Sequence, residues 1–539
     1  MLRLTTLLFV GLGAASSAWA EAPASVRPIA GLDAQIHAAI ACGDLEKADF
    51  SGIAGAPTTI SSVKIVSGSD RYNEYCQVEG TIAPKIGFEI RLPTKTWNGR
   101  YFQTGCGGMC GFLKTDDYCG DALARDFVIA AHDMGHQGSG PWDGQTWSQD
   151  PQQRADFAHR STHAMSVVTK TIIGFYYKQD AARSYFRGCS TGGREAVQIA
   201  QYYPDDFDGV IGGDFAMPIR QGAIANTWDA QHLMDEDDND VFSDAKLQGL
   251  HAAVMAKCDD LDGVVDGILM DPRQCKFDPR TIACELSADR SDCLTPKELA
   301  AAIALYDGPR NSSGQRLTPG GRALGSELAW GGGAYGGGKS RIAISEGTLR
   351  NLAFGEERAD FRYRDFNWDS DVAAVERQVA EFDVMPVGTA PDLAAFHQAG
   401  RKLILYHGWW DPGVPAVGTL DYYAQVHSRH GGLDETRDWF RVFMVPGMFH
   451  CRGGDAPDKF DVLGAMVVWV EQGVPADGIV ATQYNEDGSV KRTRPLYAYP
   501  AVAQYDGEGD VNDAQNWQPK VPTEATDDLV DWIWAPEPN

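Results

Sequence analysis

The stretch 184–213 reads SYFRGCSTGGREAVQIAQYYPDDFDGVIGG and decides the fold. SYFRG has the aromatic content of a strand, EAVQIAQYY has the composition of a helix, and DGVIGG has that of a second, buried strand. Between the first strand and the helix stands Gly188-Cys189-Ser190-Thr191-Gly192, the one G-x-S-x-G sequence in the chain. A strand, a tight turn, a helix and another strand in this order predict two parallel strands of an α/β sheet.

The G-x-S-x-G turn is typical of a nucleophile elbow, in which a sharp strand-to-helix turn lifts a serine hydroxyl out of the sheet. The flanking glycines let neighbouring backbone approach closely, and the free N–H groups at the start of the helix point towards any negative charge that develops there. We therefore expect Ser190 to be the nucleophile of an α/β-hydrolase fold. The alternative that remains open at this point is a glycine-rich turn with a capping serine.

Strand patterns of the same kind lie on both sides of the turn. They read GFEIRLP, RYFQTG and DFVIAAHDMG before it, and RKLILYHG and FRVFMVPG after it. Because helical patterns alternate with them, we expect a parallel sheet that helices cover on both faces. Strand patterns are scarce in 214–400, so we expect a large lid domain there, inserted into a catalytic domain made of residues 21–213 and 401–539.

A serine nucleophile needs a base, and the base needs a carboxylate that orients it. In an α/β-hydrolase these partners follow the serine in the order Asp or Glu, then His, on loops after later strands. Asp411 follows LILYHGWW and His450 follows FRVFMVPGMF, so the pair satisfies this order. His407 is a rival for the base, but it stands at the end of its strand and close before Asp411.

The tetrahedral intermediate of such a reaction needs two oxyanion donors, one from the elbow and one from a glycine-rich loop after an early strand. The backbone N–H of Thr191 is expected to be the first. The second is expected from Gly107 or Gly108, because the glycine-rich sequence GCGGMCG follows the strand pattern YFQT. A merely flexible turn is the alternative for this loop.

The N-terminal sequence indicates export. MLRLTTLLFVGLGAASSAWA has a basic start at Arg3, a short apolar stretch and a small-residue cleavage site that ends at Ala20. This pattern predicts a signal peptide over residues 1–20 and a secreted or periplasmic mature protein. The formal charge of -27 makes nucleic acid an unsuitable partner. No later stretch is apolar enough to predict a membrane span.

The chain has eleven cysteines, most of which should pair in an oxidising compartment. The odd number leaves at least one cysteine unpaired or bonded to another chain. Cys189 directly precedes the expected nucleophile and Cys451 directly follows the expected base, so a bond between them would tie the elbow to the histidine loop. A zinc site is a weaker alternative, because no C-x-x-C pair stands near a pair of histidines.

The sequence CDDLDGVVDGIL, which starts at Cys258, predicts a calcium loop in the lid. Asp259, Asp262 and Asp266 offer carboxylates, and the backbone carbonyls of Val264 and Ile268 can complete a set of oxygen ligands. Its spacing is not that of an EF-hand, and a pair of Asp-Gly turns is the alternative. The distance along the chain from Ser190 indicates a structural ion and not a catalytic one.

Together these motifs resemble the tannase and feruloyl esterase family, which includes hydrolases of terephthalate half-esters. The resemblance lies in SYFRGCSTGGREAVQIAQYYPDDFDGVIGG, CDDLDGVVDGIL, PDLAAFHQAGRKLILYHGWWDPGVP and FMVPGMFHC, which are spread over most of the mature chain. It implies that Ser190, Asp411 and His450 form a triad and that the lid loop binds structural calcium, with no organic cofactor. It also implies four disulfides: Cys189–Cys451, Cys42–Cys76, Cys258–Cys275 and Cys284–Cys293.

The sequence departs from the family pattern at the glycine loop. Cys106, Cys110 and Cys119 crowd this part of the chain, where related half-ester hydrolases have glycines. One disulfide among the three is expected, with one thiol left over, and the spacing does not choose the pair.

The resemblance implies a secreted serine esterase that cleaves small aromatic acid esters of the feruloyl or galloyl type through an acyl-enzyme. A terephthalate half-ester hydrolase is the alternative, and a binding protein without turnover or a peptidase on the same fold is the alternative from another class. The sequence leaves the oligomeric state open. Candidates for the walls of the acyl pocket are Trp330, Tyr335, Phe361, Tyr363 and Trp368, and candidates for holding a carboxylate are Arg341, Arg350, Arg362 and Arg364.

Overall fold

The computed structural model describes residues 35–113, 115–138, 145–215, 219–285, 290–331, 336–382, 391–522, 528, 530–533 and 535. The predicted signal peptide lies outside these residues. Within them no helix is both long enough and apolar enough to span a membrane.

A nine-stranded mixed sheet forms the centre of the described part of the chain, in the order β1-β2-β3-β5-β4-β6-β7-β8-β9. Six consecutive strands of this order, β5, β4, β6, β7, β8 and β9, are parallel to one another, as the sequence predicts. The nine strands are β1 (Thr58–Val66), β2 (Tyr75–Ile82), β3 (Ile86–Pro93), β4 (Arg100–Thr104), β5 (Val128–His132), β6 (Arg183–Cys189), β7 (Gly209–Gly213), β8 (Lys402–Gly408) and β9 (Phe440–Val445).

The expectation of an entirely parallel sheet is wrong at one end. Strands β1, β2 and β3 pair antiparallel, and β3 is antiparallel to β5. GFEIRLP therefore belongs to a meander and not to a strand–helix–strand unit. The physical reason is the short connections from β1 to β2 and from β2 to β3, because a parallel pair needs a crossover of a dozen or more residues.

Thirteen α-helices accompany the strands in the described residues. They are α1 (Thr115–Leu123), α2 (Pro151–Ala155), α3 (Ser161–Tyr177), α4 (Thr191–Tyr202), α5 (Ile219–Leu233), α6 (Asp244–Cys258), α7 (Pro296–Asp307), α8 (Gly338–Thr348), α9 (Asp371–Val379), α10 (Ala394–Gln398), α11 (Val417–Arg429), α12 (Leu433–Arg437) and α13 (Val462–Gln472). Helices α5 to α10 all lie between β7 and β8, two strands that are hydrogen-bonded neighbours in the sheet. The sheet is thus interrupted where the sequence predicts an inserted lid.

The sheet buries both of its faces, as expected. Successive residues of one strand enter different cores: Phe186 packs with α3, α4 and α11, whereas Tyr185 packs with α1 and α13. Val210 and Ile211 divide in the same way. This alternation follows from the two-residue period of a strand, and it accounts for the continuous apolar runs in the sequence.

The C-terminal part of the chain adds two small antiparallel sheets. One consists of β10 (Lys459–Phe460), β11 (Gly478–Tyr484) and β12 (Val490–Tyr497), and the other of β13 (Val502–Tyr505) and β14 (Trp517–Lys520). Trp517 on β14 packs against Ile268 of the predicted calcium loop, and Trp532 packs in a core with lid helix α9. The last part of the chain therefore contacts the lid, and the division into the two predicted domains stays a prediction.

Candidate active site

Ser190 stands at the turn between β6 and α4 in a strained conformation. Its φ of 64° lies in the left-handed region, where a residue with a side chain is uncommon. The turn is tight because a Cβ on Gly188 would lie 2.5 Å from the backbone of Gly192. The Ser190 N–H donates to the carbonyl of Gly213 at 2.9 Å, which fixes the turn to β7. Strain of this kind is characteristic of functional sites, and the geometry is that of a nucleophile elbow.

Asp411 and His450 lie together at the carboxyl ends of β8 and β9. The carboxylate of Asp411 accepts the N–H groups of Gly413 and Val414 on Oδ1, at 2.8 and 2.9 Å. Its Oδ2 lies 2.5 Å from Nδ1 of His450. Burial alone would raise the pKa of Asp411, but the charge of His450 and hydrogen bonds from His407 and His450 outweigh it and lower that pKa. The carboxylate is thus held charged and aimed at an imidazole.

Ser190 and His450 face a common space. Both line a narrow cavity of about 90 Å³ under the lid, and both also line a wider one of about 230 Å³ on the other side. The predicted disulfide between Cys189 and Cys451 is present, so a covalent bond joins the neighbours of the two residues. The structure therefore brings together the three residues of the predicted triad. Their catalytic roles stay predictions.

The glycine loop after β4 packs directly on the elbow. The hydroxyl of Thr191 donates to the carbonyl of Gly108 at 2.6 Å, and the N–H of Gly192 donates to the carbonyl of Cys106 at 2.9 Å. Gly108 and Thr191 line the narrow cavity, and Gly107 and Gly108 both line the wider one. The predicted oxyanion residues are therefore adjacent to Ser190, with Gly108 nearer to the lid side.

The disulfides settle the pairing of the crowded cysteines. Cys106 pairs with Cys110 across the glycine loop, and Cys119 is buried and unpaired in α1. The other predicted pairs are all present: Cys42–Cys76, Cys258–Cys275 and Cys284–Cys293.

Sequence reasoning missed Glu195, which lies on the first turns of α4. Its Oε1 accepts the backbone N–H of Cys106 at 2.9 Å, and its Oε2 accepts the hydroxyl of Thr162 at 2.7 Å. Burial raises the pKa of Glu195. This acid ties the glycine loop to the helix that starts at the elbow. The burial that gives it this role has no local signal in the sequence, and Arg194 beside it is a second buried charged residue.

Sequence reasoning also missed Asp214, a buried acid directly after β7. Its Oδ1 accepts the N–H of Gly408 at 3.0 Å and lies 3.7 Å from Nε2 of His407. Nε2 of His407 in turn lies 3.3 Å from Oδ2 of Asp411. His407 is therefore not the base beside Ser190, since its ring nitrogens face Thr419 and Val414 and it lines neither cavity of Ser190. The available signal was an acid at the carboxyl end of the strand next to β8.

Most of the residues that the sequence offers as substrate contacts lie away from the cavity at Ser190. Arg341 is buried, lines the narrow cavity and donates from Nη1 to Oδ1 of Asn226 at 2.5 Å. The other described candidates do not line that cavity. Trp330 and Tyr363 pack within residues 214–400, and Phe361 and Trp368 pack in a core that this segment shares with Trp147 and Phe157. Arg350, Arg362 and Arg364 pair with Glu346 or Asp238. These cores occupy the aromatic side chains. Tyr335 lies outside the described residues.

The predicted calcium loop places its acids near one another, but not at one point. Asp259 accepts the N–H of Gly267 at 3.0 Å, and Oδ1 of Asp262 accepts that of Val264 at 3.0 Å. Oδ2 of Asp262 is buried without a hydrogen-bond partner, and Asp266 pairs with Arg494. The groups of three or more His, Cys, Asp or Glu ligand atoms that lie within 4.8 Å among the described residues do not include this loop.

Comparison with known sequences gives the family. The sequence model described as tannase and feruloyl esterase matches residues 69–519, which is most of the chain. This chain belongs to the tannase and feruloyl esterase family. The elbow, the Asp411–His450 pair and the Cys189–Cys451 bond all fall inside the matched residues.

Individual relatives in the tannase and feruloyl esterase family match along most of their length. A mono(2-hydroxyethyl) terephthalate hydrolase of Piscinibacter sakaiensis is 32% identical, with 87% of this chain and 87% of the relative covered. A probable feruloyl esterase of Arthroderma benhamiae is 32% identical, with coverage of 80% and 81%. The crystal structure of feruloyl esterase B from Aspergillus oryzae superposes with a TM-score of 0.77 at 26% identity, covering 86% of this chain and 97% of that one. The chain is a carboxylic ester hydrolase with an α/β-hydrolase fold.

Proposed function

We propose that the protein is a serine hydrolase that cleaves aromatic acid esters of the feruloyl or galloyl type through an acyl-enzyme. The proposal rests on one arrangement of residues. Ser190 stands at a strained elbow and shares a cavity with His450, and the imidazole of His450 is hydrogen-bonded to the buried carboxylate of Asp411. This arrangement is what a serine hydroxyl needs in order to attack an ester carbonyl at neutral pH.

In the proposed first step, His450 takes the proton of the Ser190 hydroxyl as its oxygen attacks the ester carbonyl carbon. The imidazolium, stabilised by the Asp411 carboxylate, then gives that proton to the leaving alkoxide, and an acyl-enzyme remains. In the second step His450 takes a proton from water, which attacks the acyl carbon. The imidazolium returns the proton to Ser190 as the carboxylic acid leaves.

The oxyanion of both tetrahedral intermediates is assigned to the N–H groups of Thr191 and Gly108. Thr191 begins α4, so its N–H has no acceptor within the helix. Gly108 is fixed to the same turn through its carbonyl, which accepts the hydroxyl of Thr191. Donors that are held in place before the reaction stabilise the developing charge without reorganisation, and each typically contributes ~100- to 1000-fold.

The shape of the site supports an aromatic acyl group. The narrow cavity has mostly apolar walls: Met109, Ile219, Ala223, Ile344 and Pro415. Planar rings bury well in such a slot. The wider cavity on the other side of Ser190 includes the more exposed Arg452 and leaves room for the alcohol. The relatives named as feruloyl esterase and as mono(2-hydroxyethyl) terephthalate hydrolase are named after esters of aromatic acids.

A panel of esters tests the proposal: methyl ferulate, methyl gallate, a terephthalate half-ester and a short alkyl ester. We expect turnover of at least one aromatic ester and loss of more than ~1000-fold of it in Ser190→Ala. Turnover of the alkyl ester alone would overturn the aromatic assignment. Turnover of none of them by folded protein would favour a binding protein or a peptidase, which a peptide substrate distinguishes.

A second substrate class is favoured by Arg341. A half-ester of an aromatic dicarboxylic acid presents a free carboxylate, and a buried guanidinium in the cavity of Ser190 is suited to bind it. Arg341→Gln should lower kcat/KM for the terephthalate half-ester ~10- to 100-fold and change that for methyl ferulate less than ~3-fold. Arg350→Gln, in the lid but outside the cavity, is the matched control. Equal losses on both esters would exclude carboxylate recognition by Arg341.

We propose a structural calcium ion in the lid loop, held by the carboxylates of Asp259, Asp262 and Asp266 with the carbonyls of Val264 and Ile268. The donor set consists of oxygen atoms, and the unbonded Oδ2 of buried Asp262 fits a cation there. A chelator should lower Tm by about 3 to 6 °C, and calcium, but not magnesium, should restore it. Asp262→Asn should abolish this dependence, whereas Asp260→Asn, at an exposed acid beside it, should preserve it. Identical responses of the two variants would overturn the proposal.

We propose export to the periplasm or the medium, with removal of residues 1–20. Five disulfides support an oxidising compartment, because reduced cytosol seldom retains such bonds. The intact mass of protein recovered from an exporting host tests this. A mass that retains the first twenty residues would contradict the expected cleavage at Ala20.

A further inference from the structure

Three titratable side chains form a buried cluster that includes the carboxylate of Asp411. Ligand atoms of Asp214, His407 and Asp411 all lie within 4.8 Å of one another. The relative exposure of the three residues is 0%, 0% and 2%. Asp214 follows β7, His407 lies on β8 and Asp411 follows β8, so two adjacent strand ends deliver the cluster.

The surroundings of His407 determine one of its protons. Its Nε2 faces three oxygens: the carbonyl of Val414 at 3.1 Å, Oδ2 of Asp411 at 3.3 Å and Oδ1 of Asp214 at 3.7 Å. A carbonyl oxygen and an ionised carboxylate can accept a hydrogen bond but cannot donate one. The hydrogen in these contacts must therefore be on Nε2. Nδ1 lies 2.7 Å from the hydroxyl of Thr419 on α11, which fixes the ring from the other side.

Two imidazoles therefore share one carboxylate oxygen. Oδ2 of Asp411 lies 2.5 Å from Nδ1 of His450 and 3.3 Å from Nε2 of His407. Together with the N–H groups of Gly413 and Val414 on Oδ1, these donors hold the carboxylate on both oxygens. A carboxylate with this many donors has little freedom to rotate away from His450.

Asp214 gives the cluster a second acid. Its Oδ1 accepts the N–H of Gly408, and its own N–H donates to the carbonyl of Tyr406 at 2.8 Å, so its backbone is tied to β8. Burial raises the pKa of Asp214 to about 8, against the opposing charge of His407. Two buried carboxyl groups this close do not both ionise unless a proton or a cation lies between them. Asp214 and His407 therefore hold a proton next to Asp411.

We propose that His407 and Asp214 are positioning residues, which fix the orientation of the Asp411 carboxylate and moderate the charge that it presents to His450. The inference rests on the proposed triad mechanism and adds two residues to it. The charged groups that face His407 are Asp214, Asp411 and His450, from the loops after β7, β8 and β9. A purely structural role, as a tie between strand ends, would lower stability without changing how activity depends on pH.

A matched pair of variants separates the two contacts of the ring. His407→Gln puts an amide NH₂ near the place of Nε2 and keeps a donor for Asp411, whereas His407→Asn reaches only to the place of Nδ1 and Thr419. We expect kcat to fall ~10- to 100-fold in His407→Asn and less than ~5-fold in His407→Gln, with KM within about 2-fold in both. Equal losses in the two variants would overturn the inference.

The pH profile gives a readout that a structural tie would not move. Without His407, Oδ2 of Asp411 keeps only its contact with His450. More of the carboxylate charge then acts on that imidazole, so His450 holds its proton more tightly. The acid limb of kcat/KM should therefore move to higher pH in His407→Asn and remain in place in His407→Gln. An acid limb that stays in place in His407→Asn, with Tm lowered, would establish the structural role instead.

A double-mutant cycle tests whether the two residues act as a unit. We expect Asp214→Asn combined with His407→Asn to lower kcat no further than His407→Asn does alone, because the shared proton is already lost. Multiplied losses would show that Asp214 acts independently. Ser190→Ala in the same assay separates the two hypotheses: turnover that survives it would refute the triad, whereas an inactive Ser190→Ala with unaffected His407 variants would refute only this inference.

Discussion

Replacing Asp411 with asparagine should lower kcat roughly 10,000-fold while KM changes little. The asparagine oxygen can still accept the N–H groups of Gly413 and Val414, so the loop keeps its conformation. The amide NH₂ then faces Nδ1 of His450, which can no longer donate to it. The imidazole must present its other tautomer, with hydrogen on the nitrogen that would have to receive the proton of Ser190.

Asp421→Asn is the matched control for this change. Asp421 is also a buried acid, but it lies on α11, where it accepts the side-chain amide of Gln425 and the N–H of Val530. Burial raises its pKa to about 6, and an asparagine oxygen at this position can still accept the N–H of Val530. We expect kcat of Asp421→Asn within about 2-fold of the wild type. Steady-state kinetics with equal active-site titres would contradict the prediction if Asp411→Asn retained more than about a tenth of kcat.

The residues near Ser190 could be predicted because their signals are local. An elbow needs glycines at fixed places beside the serine, and Asp411 and His450 each stand just after a strong strand pattern. Their order along the chain follows from the topology of the sheet, which the alternation of strands and helices already indicates. The same reasoning predicted a parallel sheet, which holds for six strands, but it missed the meander of β1 to β3, because short antiparallel connections carry no helix between the strands.

The supporting acids could not be predicted in the same way. The role of Glu195 depends on its contact with the N–H of Cys106, and the role of Asp214 depends on its contact with His407. Both contacts join residues that are far apart in the sequence. A buried acid and a surface acid are the same letter in a sequence, and only packing tells them apart. The aromatic residues proposed for the acyl pocket were equally hard to assign from the sequence. Trp330 and Phe361 could have lined a pocket or packed in a core, and each of them packs in a core.

Removal of the Cys189–Cys451 disulfide should have the largest effect on stability. The bond closes a loop with a sequence separation of 262 residues, whereas Cys284–Cys293 closes one of 9. A disulfide that closes a longer loop restricts the unfolded chain more. The expected contribution to the free energy of unfolding is roughly 5 kcal/mol for Cys189–Cys451 and roughly 2 to 3 kcal/mol for Cys284–Cys293. Thermal unfolding of the two double Cys→Ser variants should reproduce this order.

The same bond should also affect catalysis, because it connects the neighbours of Ser190 and His450. Without it, the histidine loop after β9 is held to the elbow only by noncovalent contacts, and a shift of about 1 Å in the Ser190–His450 geometry can cost ~100-fold in rate. We expect the Cys189→Ser, Cys451→Ser double variant to lose ~10- to 100-fold in kcat at temperatures well below its Tm. The Cys284→Ser, Cys293→Ser variant, which breaks a bond within the lid, should keep kcat within about 2-fold. Equal kcat in the two variants would mean that the remaining contacts of the loops already fix the triad, and the bond would then contribute to stability alone.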